Sequence, residues 1–318
     1  MRSEFVQDWL AATEWSDWRR APLAGDASAR RYERLLGPAG QSVILMDAPV
    51  EICGSQSLFV EIAAHLTQLS LAAPEVLAWD DANGLLVLSD LGQIDFAKHL
   101  RSSPHDETEL YTSTVDVLKT LQTAPPPSGL TRMTPDVGAD MTGLAFEWAA
   151  KDQSHDLAAN ITAQIHALLT DVNPNPTVLS LRDFHAENLI WRPSKNGTGR
   201  VGLLDFQDAF ITHPTYDLAS LLRDARRDVN PDLLSPLISQ LAGDEHDVHA
   251  YKRAFHVMAI QRNLRILGIF NRLAKQDGKV SYLDLIPRVW AHLQTDLADS
   301  GLSDLALLVE RAFSPVEE

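Results

Sequence analysis

At 318 residues the chain exceeds the usual size of one core, and 45% apolar residues supply material for two. Its 27 Lys and Arg are outnumbered by 43 Asp and Glu, giving a formal charge of −16, a poor match to nucleic acid or an anionic membrane surface. The excess acid is either a solubilising surface or an attraction for cationic substrates. Cys53 is the only cysteine, so no intrachain disulfide can form and a reducing compartment is natural. The opening MRSEFVQDWLAATEW carries acids and no unbroken apolar core, unlike a secretory signal, and no apolar run approaches the roughly 20 residues that span a bilayer. A cytoplasmic protein without a membrane or nucleic-acid partner is expected.

Phe5, Trp9 and Leu10, with Val6 and Ala12, fit one face of a short N-terminal helix. Strand patterns follow. RRYERLL and SVILM flank the turn Gly37-Pro38-Ala39-Gly40, and GLLVL follows the hairpin signal Asn83-Gly84. Between them Phe59, Ile62, Ala63, Leu66 and Leu69 predict a helix over 57–70. Gly25 and Ser28, in the small polar segment GDASA, form either a plain hairpin turn or one that offers backbone N–H groups to phosphates. The strand pattern stops at SDLGQID, which predicts a boundary between a first lobe, 1–89, and a second, 90–318. The second reads as helices over 96–100, 107–121, 142–150, 157–170, 216–228, 248–273, 283–297 and 302–313. Only one stretch interrupts them with strands.

That stretch, LSLRDFHAENLIWRPSKNGTGRVGLLDFQD, puts Asp183 and Asn188 in a loop after the apolar run 178–181, and Asp205 after the run 201–204. One carboxylate would face a substrate hydroxyl; a carboxamide and a second carboxylate suit a hard cation. Phosphoryl transfer needs these parts, because the protein mostly positions reactants and neutralises charge. As alternatives, Asp183 and Asp205 are strand-end turn formers and Asn188 a loop-stabilising amide. Asp208 is either a metal or substrate contact or a turn residue.

The succession LRDFHAENLI, LLDFQDA and HPTYDLASLLRDA resembles the aminoglycoside phosphotransferase and choline kinase superfamily, with further likeness in PEVLAWD and LLVLSDLG. GDASARRYERL, VILMDAP and DFQDAFITHPTYDLASLLRDA are most similar to the amino-sugar kinases that act on N-acetylmuramate and N-acetylglucosamine at the anomeric hydroxyl. The resemblance implies an α+β, protein-kinase-like bilobal fold, with a small antiparallel-sheet N-lobe bearing one helix and a larger, mainly helical C-lobe. It implies an enzyme that uses ATP and Mg²⁺ on a small-molecule hydroxyl. Asp183 would be the catalytic base, Asn188 and Asp205 the metal ligands, and Leu88, Ser89, Asp90 and Leu91 the segment that holds adenine through backbone groups. Asp217 would brace the catalytic loop, and His185 would make a structural hydrogen bond.

The chain departs from that family where Leu181 stands for a histidine, and where Met46 stands at the place of the phosphate-binding lysine. Arg30, Arg31 and Arg34 are the expected substitutes, since a guanidinium fork suits phosphate oxygens; strand alternation puts Arg30 and Arg34 on one face. Glu61 is the nearest match to the helix glutamate, or lies on a solvated face. Two rival readings are a kinase acting on cationic aminoglycosides and a nucleotide-binding regulatory protein with little catalysis.

Overall fold

The structure, a computed structural model, describes residues 2–23, 29–151 and 155–313. Contacts divide the chain into two compact units, Met1–Asp95 with Leu189–Gln207, and Phe96–Asn188 with Asp208–Glu318. The first unit therefore takes in a hairpin from far along the chain, which a single cut at 89/90 does not separate.

The first unit opens with α1 (Arg2–Ala11), β1 (Arg19–Pro22), β2 (Arg31–Leu36) and β3 (Ser42–Asp47). A one-turn helix α2 (Val50–Cys53), then α3 (Ser57–Gln68), β4 (Val76–Asp80) and β5 (Leu85–Ser89), complete its N-terminal part. The five strands form one antiparallel sheet in the order β1-β2-β3-β5-β4. Val6 and Leu10, one turn apart on α1, join Leu35, Val43, Leu45, Leu85 and Val87 in an apolar cluster. Phe5 falls one position off that stripe and is 38% exposed, under the Arg2 guanidinium, so the expected apolar face is narrower than Phe5, Trp9 and Leu10 together. Gly84 turns β4 into β5 with φ +65, and a Cβ there would lie 1.9 Å from the Ala48 carbonyl oxygen.

In the second unit come α4 (Phe96–Ser102), α5 (Glu107–Gln122), α6 (Pro135–Asp140), α7 (Gly143–Trp148), α8 (His155–Val172) and β6 (Val178–Ser180). The chain then contributes the hairpin β7 (Leu189–Trp191) and β8 (Val201–Leu203) to the first unit, where the Leu203 N–H donates to Ala72 and the Trp191 N–H to Ile94. Back in the second unit, β9 (Phe210–Thr212) pairs with β6, and α9 (Tyr216–Leu222), α10 (Leu234–Ala242), α11 (Val248–Lys275), α12 (Ile286–Asp299) and α13 (Ser303–Phe313) follow. Among the described residues no helix is long and apolar enough to cross a membrane.

The sequence pattern misses the one-turn α2, and also α6 and α10. α6 is one and a half turns, started by the Thr134 side chain, which accepts from the Val137 N–H, and by Pro135. α10 carries Pro236 in its first turn, where a missing N–H costs nothing. The helix expected over 216–228 stops at Leu222 because Arg223 leaves helical geometry to meet buried Asp296 at 2.7 and 2.9 Å. α11 is the spine of this unit, buried along most of its length. Its Gly268 lies so close to α7 that a Cβ would stand 2.3 Å from the Leu144 carbonyl carbon. Gly268→Ala is thus expected to destabilise by about 3 kcal/mol through overpacking. Thermal unfolding should show Tm lower by roughly 5–10 °C.

Candidate active site

In the second unit, β6 runs into the loop that carries Asp183. Three donors converge on the fully buried Asp217 carboxylate: Ser180 Oγ at 2.6 Å, the Leu181 N–H at 2.8 Å and the Arg182 N–H at 3.0 Å. Burial pushes the Asp217 carboxyl up to about 6, against the pull of these hydrogen bonds. They hold Arg182 at φ +71, a conformation a non-glycine residue adopts only when its surroundings dictate it. Asp217 is thus the brace of this loop, and Leu181, 2% exposed, packs into the core. Asp217→Asn would turn an amide donor toward one of those N–H groups. The expected loss is about 2–3 kcal/mol, read as a lower midpoint in urea unfolding.

Beyond Arg182, the loop closes on itself. The Asn188 side-chain NH₂ donates to the Asp183 carbonyl at 2.9 Å and lies 3.2 Å from His185 Nε2. Burial, then the Arg226 and Arg262 charges, holds the His185 pKa well below its usual value, so the ring is neutral. A neutral ring accepting at Nε2 carries its proton on Nδ1, which is buried without a partner. His185 therefore orients Asn188 and has no exposed nitrogen with which to act as a base. The half-buried Asp183 carboxylate makes no hydrogen bond or ion pair among the described residues. It is the loop's unengaged acceptor.

Asp205 belongs to the first unit, at the end of the β7–β8 hairpin, with φ +58 and Oδ1 accepting from Gln207 Nε2 at 2.7 Å. Its neighbour Phe206 is fully buried and stacked on Phe59 of α3, ring centroids 4.9 Å apart. That anchor fixes the backbone from which the Asp205 carboxylate projects. In the same hairpin Trp191 is 8% exposed beneath the Arg200 guanidinium, a packing role, whereas Trp79 on β4 is 41% exposed.

The expected phosphate-binding residues fare unequally. Gly25 and Ser28 lie outside the described residues. Met46 is fully buried in the sheet, so its position carries core packing. Arg34 is committed elsewhere: its Nε is 2.5 Å from Asp90 Oδ2 and its Nη2 is 3.1 Å from the Gly92 carbonyl. Burial raises the Asp90 carboxyl, but hydrogen bonds from Arg34, Gly92 and Ser42 outweigh this and hold it below the usual carboxylate range. Arg34 therefore reaches a phosphate only by abandoning a charge-assisted pair. Arg30 precedes β2 and donates to Gln56 at 3.2 Å, while exposed Arg31 shares a shallow hollow with Arg20, Glu33 and Asp47. Glu61 is exposed on α3, the solvated alternative. In the 88–91 segment, the Ser89 N–H and Oγ are both used to hold Glu75.

Hard oxygen donors suit Mg²⁺, which takes few protein ligands and completes its shell from phosphates and water. The donor types fit, each taken in its own unit: Asp205 of the first carries a carboxylate, and Asn188 of the second, whose NH₂ is turned to the loop, a carboxamide oxygen. Among the described residues no group of three or more His, Cys, Asp or Glu could hold a metal by itself.

Comparison with known proteins gives a consistent result. Residues 19–251 match the model of a family described as the phosphotransferase enzyme family, APH. The chain is 36% identical to an N-acetylmuramate/N-acetylglucosamine kinase from Caulobacter vibrioides, covering 97% of this chain and 96% of that protein. Among solved structures it superposes on the choline kinase LicA from Streptococcus pneumoniae with a TM-score of 0.69 at 13% identity, covering 92% and 99% of the two chains. The ADP-bound aminoglycoside phosphotransferase APH(2'')-Ib gives 0.65 at 16% identity, covering 93% and 98%. At such identities the structural likeness concerns the fold, which is the α+β, kinase-like one expected from the sequence.

Proposed function

Given that the chain belongs to the phosphotransferase enzyme family, we propose that it transfers the γ-phosphoryl group of ATP to the anomeric hydroxyl of an N-acetylated amino sugar of the N-acetylmuramate or N-acetylglucosamine type. The observation that carries the acceptor class is the 36% identity to an N-acetylmuramate/N-acetylglucosamine kinase across 97% of the chain. That the protein is an ATP-dependent kinase rests on the family itself.

Asp183 is the base of this reaction. Its carboxylate accepts the hydroxyl proton as the sugar oxygen bonds to the γ-phosphorus and the bond from that phosphorus to the bridging oxygen breaks, releasing ADP. Asp217 and Asn188 keep the loop in the shape that presents Asp183. Asn188 and Asp205 would hold Mg²⁺, which when bound neutralises phosphate charge. The phosphate contacts from Arg30, Arg31 and the Gly25–Ser28 segment, and adenine contacts from 88–91, belong to the same proposal; Arg34 is the least suited, being paired with Asp90.

The test is ADP release over a panel of N-acetylmuramate, N-acetylglucosamine, other hexoses, kanamycin and choline. Turnover confined to the amino sugars supports the proposal. A preference for kanamycin would replace the acceptor, and ATP binding without turnover on any acceptor would favour a regulatory role.

A further inference from the structure

Three arginines crowd the base of the second unit. Arg182 immediately precedes Asp183; Arg262 and Arg265 lie one turn apart on α11, on the same side of the helix. Arg262 is 4% exposed, and its Nη1 is buried without a hydrogen-bond partner. Arg182 has only a long contact, 3.5 Å from Nη1 to the Asp208 carbonyl, and lies over the Phe210 ring at 5.6 Å. None of the three forms an ion pair among the described residues. Elsewhere in this unit Arg223, Arg227 and Arg288 each meet a carboxylate at 2.7–2.8 Å. Burial, then repulsion from Arg265, lowers the pKa of Arg182; burial does the same at Arg262, with Arg265 adding to it. Asp183 acts on both Arg182 and Arg262, and Asp224 on Arg262, so these carboxylates offset part of the charge without bonding to it.

A buried guanidinium with an unused N–H, under repulsion from Arg265, is costly unless something anionic completes it. The group must belong to a molecule that also reaches Asp183. N-acetylmuramate is such a molecule: it is N-acetylglucosamine carrying a lactyl ether, and hence a carboxylate on the ring that bears the reacting hydroxyl. We propose that Arg262 and Arg265, with Arg182, form an oxyanion site that receives the carboxylate of the acceptor and sets the preference for N-acetylmuramate over N-acetylglucosamine. The inference rests on the amino-sugar kinase reading above. It also disfavours aminoglycosides, whose ammonium groups would meet three guanidinium groups.

The experiment measures kcat/KM for both sugars, and KM for ATP, in the unmodified protein, Arg265→Gln and Arg262→Lys. Arg265 is half-buried, so its variant keeps the test usable if the Arg262 variant unfolds; thermal unfolding checks both. The expected result is that the N-acetylmuramate to N-acetylglucosamine ratio of kcat/KM falls on the order of tenfold to a hundredfold in Arg265→Gln, the size of a lost charge-assisted contact. The loss should appear in KM for N-acetylmuramate. An unchanged ratio, with both sugars falling together, would overturn the proposal. A loss in KM for ATP would assign the arginines to nucleotide phosphate instead and equally overturn it. If the unmodified protein turns over neither sugar, the functional reading fails first and the carboxylate site fails with it.

Discussion

Asp183→Asn is expected to lower kcat by roughly 10³-fold while leaving nucleotide affinity within about threefold of the unmodified protein. The carboxylate has no hydrogen bond to lose, and asparagine keeps its shape, so the loop stays braced by Asp217 and Asn188. What disappears is the acceptor for the hydroxyl proton. A fall in kcat without a matching rise in KM for ATP separates this role from a structural one, and isothermal titration with a non-hydrolysable ATP analogue reports the binding arm. Near-normal turnover would remove Asp183 from the chemistry.

For Asp205→Asn the expected loss lies in the metal-dependent step: kcat/KM for ATP down on the order of 10²–10⁴-fold, the scale of the charge stabilisation a catalytic metal supplies. The protein should remain folded. Asparagine tolerates the positive φ that Asp205 adopts, and its oxygen can still accept from Gln207. Titrating Mg²⁺ at fixed ATP should show a much weaker metal response in the variant. An unaltered Mg²⁺ profile would mean that the metal is held elsewhere.

Much of this site is legible in the sequence because phosphoryl transfer fixes residue types at fixed intervals. Asp183 and Asn188 share the loop after one apolar run, Asp205 follows another, and Asp217 opens a helix, so these positions stand out before any contact is known. The long helices are legible for the same reason: α5, α8 and α11 carry apolar periodicity over many turns. Shorter elements rely on capping and contacts. α6 and α10 depend on Thr134, Pro135 and a tolerated Pro236, which periodicity does not register.

Long-range pairing is harder to read. Arg34 stands among three arginines suited to phosphate, and only folding brings Asp90, 56 positions away, to engage it. The membership of the 189–207 hairpin in the first unit depends on Leu203 meeting Ala72 and Phe206 meeting Phe59. Arg262 and Arg265 went unmarked because the α11 pattern reads as core. A signal was present, though: His256, Gln261, Arg262 and Asn263 fall within about two turns of a helix, among apolar Val257, Met258, Ala259, Ile260 and Leu264. A helix polar and buried at once needs partners, and here several of its polar atoms have none.

The central claim, transfer of phosphate to an amino-sugar hydroxyl, is tested most directly by ³¹P NMR of the protein with ATP, Mg²⁺ and N-acetylmuramate or N-acetylglucosamine. The account predicts a sugar 1-phosphate resonance growing in step with ADP, and neither signal with the Asp183→Asn protein. Release of inorganic phosphate alone, or ATP left intact with both sugars, would contradict it.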